Sequence, residues 1–321
     1  MSEAAPAERL WDMLRGALTT KALGIAADLG VADALAAGPR PVTELAAEAG
    51  ADPDVLHRIL RALASDGVFV EVEPGVFANT EASELLRRGG SAWNEFAHLF
   101  GGVFLTAAGT LDPRTGEATF PRIFDTDFWS WLAANPHERA IFDRAMAGDG
   151  KADTADRLAA LVWKPDESVV DVGGGNGALL RALLERRPEL RGIVFDLPET
   201  DRDEASFGDR LEFVAGSFFE RVPTGDAYLL SGILHDWDDE AALSILRTIR
   251  AAAPDGARLI INESVIPEGN DPDGAKWLDL LMLVLAAGRE RDDAEWRALL
   301  ADGGFQAEQV ESGLIRAIAC P

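Results

Sequence analysis

The segment that most restricts the fold is Ser168-Val169-Val170-Asp171-Val172, followed at once by Gly173-Gly174-Gly175-Asn176-Gly177. A short valine-rich run ending in glycines reads as a buried strand entering a tight turn. Ala178 to Arg187 reads as a helix stopped by Pro188, and Gly192-Ile193-Val194-Phe195-Asp196 as a second buried strand. The alternation continues with strands at Leu211–Ala215, Ala227–Ser231 and Arg258–Asn262, the last two separated by a helix over Glu240–Ala253. Strands alternating with helices predict an α/β domain, a Rossmann-like and mostly parallel sheet with helices on both faces.

The glycine turn lets the backbone pass close to a ligand with no Cβ in the way. Asp171 ends the first strand, and Asp196 ends the second roughly twenty residues further on, where a carboxylate meets ribose hydroxyls. The spacing G-x-G-x-G, without a second nucleotide half or a hydride-transfer motif, favours an adenosyl ligand that lacks pyrophosphate. A dinucleotide is the alternative that the turn alone leaves open.

A second constellation, Ser231-Gly232-Ile233-Leu234-His235-Asp236-Trp237-Asp238-Asp239-Glu240, lies where the fourth strand runs out into the next helix. That is the carboxyl edge of the sheet, where ligands bind. Of the four histidines, His57 and His98 fall in helical segments and His137 follows Pro136 in an expected loop, which suits structural or solvated roles. His235 differs because it stands at a strand end facing the ligand crevice. Imidazole is the natural base for a phenol or similar hydroxyl near neutral pH. A helix-capping role for the segment is the competing reading.

Residues from about Ala7 to Gly150 are helical in pattern and rich in Ala, Leu and Arg. Lys21–Leu35 reads as an amphipathic helix and Pro41–Ala46 opens a shorter one, with Thr43 as its cap. A third helix follows Asp52-Pro53-Asp54, with Leu56, Ile59, Leu60 and Leu63 at helical spacing, and Gly67–Val72, Gly75 and Val76-Phe77 form a two-stranded wing. Such a winged-helix unit raises the possibility of a DNA-binding regulator. Asp54–Asp66 offers only Arg58, Arg61 and His57, in a chain of net charge −25. That charge repels phosphate backbones and anionic lipid, so neither nucleic acid nor membrane is expected as a partner. The apolar stripes exceed what so small a unit buries alone, and dimerisation is the expectation.

Ser91–Ala147 carries many aromatics, among them Trp129 and Phe142, and ends near Met146. They suit a core and, as a group, one wall of a pocket for a flat aromatic ligand. Trp277, Met282 and Leu283 are further pocket candidates, and Asp236 a candidate substrate contact beside the base. Cys320 is the only cysteine, so internal disulfides and Cys-based metal clusters are excluded, and no metal site is expected. The start MSEAAPAERLWDML lacks the basic and apolar stretches of a secretory signal, and a cytoplasmic location is expected.

Taken together, Val169–Gly177, Phe195–Pro198, Gly216–Phe219, Ile233–Glu240 and Asp279 to Gly288–Arg291 resemble the successive motifs of one family. It is the S-adenosylmethionine-dependent small-molecule O-methyltransferases of the plant caffeate and bacterial polyketide type. Leu23–Leu35, the winged helix, Arg114–Glu117 and Phe142–Met146 are similar to that family's N-terminal dimerisation region. The resemblance implies a winged-helix dimerisation domain over 1–90, a helical substrate-lid region over 91–160 and a Rossmann-like catalytic domain over 161–321. It implies a homodimer that methylates a hydroxyl of an aromatic or polyketide-like small molecule, releasing S-adenosyl-L-homocysteine. Non-methylating use of the same cofactor is the alternative within the family.

By the same resemblance, Gly173 and Gly175 line the methionine and ribose part of the cofactor, near Asp171. Asp196 takes the ribose hydroxyls with Leu197 alongside, Ser217 and Phe218 border the adenine, Trp237 packs near it, and Ser231 contacts the cofactor. His235 is the general base, flanked by Glu263 and Glu290. The substrate candidates are Trp129, Phe142, Met146, Asp236 and Met282. Two departures stand out. Ser217 replaces an Asp common in relatives, and Ala147-Gly148-Asp149-Gly150 lacks the His and Ser of plant members. The acidic Glu199–Glu204 stretch reads as a solvated loop.

Overall fold

A computed structural model describes residues 5–146, 150–198, 200 and 210–321. The acidic loop at 199–204 and the segment after Met146 lie outside the described residues, except for Thr200 and the backbone of Gly150. The chain divides into two compact units, Met1–Asp112 with Ile123–Asp149, and Pro113–Arg122 with Gly150–Pro321.

In the first unit one long helix, Pro6–Asp28, replaces the expected Lys21–Leu35 helix. Gly30 adopts φ 64° and breaks the helix before Val31–Ala34, because a left-handed residue cannot continue a right-handed helix. The next helix, Val42–Ala49, is preceded by Pro41 with no side-chain cap, so Thr43 sits inside the first turn instead of capping it. Asp52 does cap Pro53–Ser65, accepting from the N–H groups of Asp54 and Val55. The wing forms as β2 (Phe69–Glu73) and β3 (Val76–Asn79), joined by a third short strand, β1 (Arg40–Pro41), that the sequence pattern did not reveal. Leu35, Leu45, Leu56, Leu60, Leu63, Phe69 and Phe77 form the core of this unit. A Cβ on Gly101 would meet Gly24 Cα at 2.8 Å, so two helical segments touch backbone to backbone there. His137 falls in the helix Pro136–Met146, started by its proline at the first position, and not in a loop.

The main sheet of the second unit has seven strands among the described residues: β4 (Ser168–Val172), β5 (Arg191–Asp196), β6 (Leu211–Ala215), β7 (Ala227–Ser231), β8 (Arg258–Asn262), and two later strands, Phe305–Glu311 and Leu314–Ala319. The parallel part runs in the order β6-β5-β4-β7-β8. Leu314–Ala319 pairs antiparallel with β8, and Phe305–Glu311 antiparallel with Leu314–Ala319. Successive residues along the buried strands point to opposite faces. Val170, Val172, Tyr228, Leu230, Leu259 and Ile261 pack with the helices Asp239–Ala252 and Asp293–Asp302, while Val169, Leu229 and Ile260 pack with Gly150–Ala159 and Ala178–Arg186. The strand order reverses between β4 and β7, which opens a crevice at their carboxyl ends. Among the described residues no helix is long and apolar enough to cross a membrane.

Candidate active site

The glycine turn at the end of β4 is held from below. Gly173 N–H donates to Phe195 O at 2.8 Å, and Gly175 N–H to Asp196 Oδ2 at 2.7 Å. Gly173, Gly175 and Gly177 have φ of 72°, 59° and 76°, which only glycine adopts at little cost. A Cβ on Gly173 would meet Ile233 Cδ1 at 2.5 Å, and one on Gly174 the Asp171 carboxyl at 2.7 Å. At Gly175 a Cβ would meet nothing within 4 Å, so the backbone there faces open space. Asp171 is buried on β4. Asp196 Oδ1 accepts from Leu197 N–H and Thr200 Oγ1, each at 2.7 Å. Three of its roughly four acceptor positions are thereby occupied, leaving one for a ligand hydroxyl and a second if Thr200 rotates away.

The remaining cofactor candidates line the same edge. Ser217 Oγ accepts from Phe219 N–H at 3.3 Å and so stiffens the turn after β6. The Trp237 ring stands edge-on to Phe218 (6.0 Å between centroids) and Phe219 (4.8 Å), making an aromatic wall. Leu197 is exposed. Ser231, at the end of β7, accepts from Asn262 Nδ2 at 2.9 Å, and Asn262 Oδ1 accepts from Arg157 at 3.1 Å. Asn262 and Arg157 escaped the sequence reading, although a polar residue ending the apolar run Leu259-Ile260-Ile261 was a signal for the first.

His235 lies in a short 3-10 turn, Leu234–Asp236, just past β7. Its Nδ1 is 2.7 Å from Glu290 Oε1, and its Nε2 is 3.7 Å from Asp236 Oδ1, beyond hydrogen-bond reach. Glu263 follows β8 and does not bond the ring. Its Oε1 accepts the backbone N–H groups of Ile233 (3.0 Å) and Leu234 (2.7 Å), so it holds the loop that carries the histidine. Glu290 is buried, its N–H bonded to Asp279 Oδ1 at 3.0 Å, and Oε2 of both Glu263 and Glu290 has no hydrogen-bond partner among the described residues.

Three carboxyl groups around one imidazole set its electrostatics. Burial of the His235 ring works against protonation, but the hydrogen bond to Glu290 and the charges of Asp236, Glu263 and Glu290 outweigh it, holding the pKa at about 9. Burial, reinforced by Glu263 and Glu290, pushes the Asp236 carboxyl up to about 7 against the pull of His235. Burial likewise raises Glu263, against His235 and the two N–H groups. With Nδ1–H directed at Glu290, Nε2 is the atom that takes up a proton. Of the other histidines, His57 Nε2 lies 3.3 Å from Glu71 Oε1, His98 lies 2.6 Å from Asp28 and 3.0 Å from Glu138, and the His137 ring stands edge-on to that of His98.

The acceptor-pocket candidates are divided between the units. In the first unit Trp129 packs edge-on to Phe128 (5.3 Å) and Phe142 (5.7 Å), and Met146 is exposed at the end of its helix. In the second, Asp236 stands beside His235, Met282 is buried in Gly274–Ala286, and Trp277 and Leu283 on the same helix are exposed. Among the described residues no group of three or more His, Cys, Asp or Glu is arranged to hold a metal ion.

Comparisons with known proteins identify the family. The profile of the O-methyltransferase domain matches residues 106–306, and that of the O-methyltransferase dimerisation domain matches residues 11–89. Phenazine O-methyltransferase PhzM of Lysobacter antibioticus is 42% identical over 311 residues, covering 94% of this chain and 91% of its own. The crystal structure of LaPhzM superposes with a TM-score of 0.91 at 40% identity, covering 98% of this chain and all of that one. The O-methyltransferase NcsB1 from neocarzinostatin biosynthesis, solved with S-adenosyl-L-homocysteine and 1,4-dihydroxy-2-naphthoic acid, gives a TM-score of 0.81 at 34% identity, covering 94% of this chain and 96% of that one. With a Rossmann-like catalytic sheet, a helical dimerisation region and a carboxylate-flanked histidine at the switch point, the chain belongs to the O-methyltransferase family.

Proposed function

We propose that the protein transfers a methyl group from S-adenosylmethionine to a hydroxyl of an aromatic or polyketide-like small molecule, with His235 as general base. The observation that carries this reading is the 2.7 Å contact between His235 Nδ1 and the buried Glu290, at the carboxyl edge of the sheet beside an open glycine turn. When bound, S-adenosylmethionine supplies an electrophilic sulfonium methyl. Gly173, Gly175 and Asp171 line its methionine and ribose portion, Asp196 takes the ribose diol, Leu197, Ser217, Phe218 and Trp237 border the adenosine, and Ser231 touches it from β7. The open backbone at Gly175 and the remaining acceptor capacity of Asp196 fit such a ligand.

His235 Nε2 accepts the proton of the substrate hydroxyl, while Glu290 holds the tautomer and stabilises the imidazolium. Phenols ionise near pH 10, so a base of about 9 matches them to roughly one unit and the transfer is close to level. Glu263 keeps the loop in place, Asp236 faces the substrate beside Nε2, and the protein's main task is alignment. No step requires a metal.

Trp129, Phe142, Met146 and Met282 are the proposed apolar contacts of a flat acceptor. Residues 1–90 pair two chains into a homodimer, 91–160 cover the substrate, and 161–321 carry the chemistry. The enzyme works in the cytoplasm without nucleic-acid or membrane partners. The test is a homocysteine-release assay on a panel of phenols that includes 1,4-dihydroxy-2-naphthoic acid and 3-amino-4-hydroxybenzoic acid. Methylated product with an equal amount of S-adenosylhomocysteine is expected. Product formed without S-adenosylhomocysteine overturns methyl transfer.

A further inference from the structure

Glu290 fixes one edge of the His235 ring, but the backbone of the loop decides where the ring stands. Arg291, the next residue, is fully buried at 0% exposure. Its guanidinium donates from Nη1 to Leu234 O at 3.1 Å, from Nη2 to Trp237 O at 3.0 Å and from Nε to Asp239 Oδ1 at 2.9 Å. The cation lies 5.4 Å from the centre of the Trp296 ring. Between the two carbonyls it binds, His235 O accepts the N–H of Arg289 at 2.8 Å, and a Cβ on Gly288 would strike that same oxygen.

We propose that Arg291 is a positioning residue for the proton acceptor, clamping the carbonyls on either side of His235-Asp236 so that Nε2 keeps its place. The proposal rests on the reading of His235 as the base. A guanidinium presents its donors as a rigid planar fork, which an ammonium cannot reproduce. Burying that charge is expensive, and an apolar side chain of similar volume would hold a core against Trp296 at least as well. Arg291 instead spends its donors on Leu234 and Trp237, the residues that bracket the base, with Asp239 at the charge-balancing end. Segment 288–291 thus binds the loop at Leu234, His235 and Trp237 through the backbone and at the imidazole through Glu290.

The experiment compares Arg291→Lys with wild type, using 1,4-dihydroxy-2-naphthoic acid as acceptor and S-adenosylhomocysteine as cofactor probe. Displacing a base by about 1 Å costs on the order of 100-fold. Arg291→Lys is therefore expected to lower kcat about 10- to 100-fold, with acceptor KM and S-adenosylhomocysteine Kd within about threefold of wild type. NMR of the histidine rings, with His235 assigned from His235→Gln, reads the base without turnover. Its titration is expected to move down from about 9 as the Glu290 contact loosens. In a His235→Gln background, Arg291→Lys should cost nothing further in kcat. Losses that multiply, or an unmoved His235 titration, overturn the proposal, because a purely structural arginine would lower the melting temperature and leave both readouts alone. If His235→Gln itself turns over like wild type, the assignment of the base fails, while the NMR titration still reports whether Arg291 sets the ring. Should Arg291→Lys not fold, Asp239→Asn loosens the same guanidinium from its half-exposed end and is judged by the same titration.

Discussion

Glu290→Gln keeps the shape of the buried side chain and removes its charge. In the native protein Glu290 Oε1 is 2.7 Å from His235 Nδ1 and supplies the strongest of the contacts that hold the imidazole at about 9 rather than 6.5. Asp236 and Glu263 remain in the variant, so only part of that elevation is lost, a change on the order of 2 kcal/mol. Since Nε2 must be unprotonated to accept, kcat/KM of the wild type rises with pH through about 9, and that limb moves to lower pH in Glu290→Gln. The plateau also falls, by about 10²- to 10⁴-fold, because the amide neither fixes the tautomer nor stabilises the imidazolium. The assay is a pH profile of methyl transfer at saturating S-adenosylmethionine, with His235→Gln run in parallel to reveal any limb that belongs to the acceptor hydroxyl. A Glu290→Gln profile with its limb still at about 9 and its plateau within threefold of wild type refutes the assigned pairing.

Other outcomes follow from the same geometry. Gly175→Ala puts a methyl group where it meets no protein atom, so its stability cost is that of a left-handed alanine, about 1–2 kcal/mol, whereas S-adenosylhomocysteine affinity by calorimetry should fall at least about tenfold. Unchanged affinity would mean that the turn faces no cofactor. His235 has a folded pKa above its unfolded one, so its stabilisation is full below about 6.5 and is lost as pH rises through about 9, an upper bound of roughly 3 kcal/mol. Thermal unfolding should show the midpoint declining across that window, with a flatter decline in His235→Gln. Leu14 and Leu18 are 75% and 76% exposed on the helix Pro6–Asp28, and Leu14→Glu with Leu18→Glu should convert a dimer to a monomer by light scattering. A dimer that persists would place the interface elsewhere.

The parallel half of the sheet could be read from the sequence to within a residue or so because its strands are short apolar runs bounded by turns, as at Val169-Val170 and Leu229-Leu230. The two antiparallel strands at the C-terminus were not legible: Phe305–Glu311 alternates with Gln306, Glu308 and Gln309 and has no strong apolar signature. Pro41 hid the two-residue strand beside the wing, since proline argues against a sheet everywhere but at an edge. In the site, His235 was recognisable from its place at a strand end, and Glu290 from family resemblance. That Glu263 grips the loop through Ile233 and Leu234 instead of the ring was not, because a carboxylate's choice between an imidazole and a backbone N–H depends on angles that only the folded loop fixes. Arg291 was hidden for the same reason, as nothing in its neighbours marks a guanidinium that folds inward.

The central claim is that His235 removes the proton from the acceptor hydroxyl. Single-turnover transfer from methyl-labelled S-adenosylmethionine to 1,4-dihydroxy-2-naphthoic acid, in wild type and His235→Gln, tests it most directly when S-adenosylhomocysteine affinity is measured on the same preparations. The expected result is a rate lower by about 10²- to 10⁴-fold with cofactor affinity unchanged. A variant that transfers the methyl group at the wild-type rate contradicts the account.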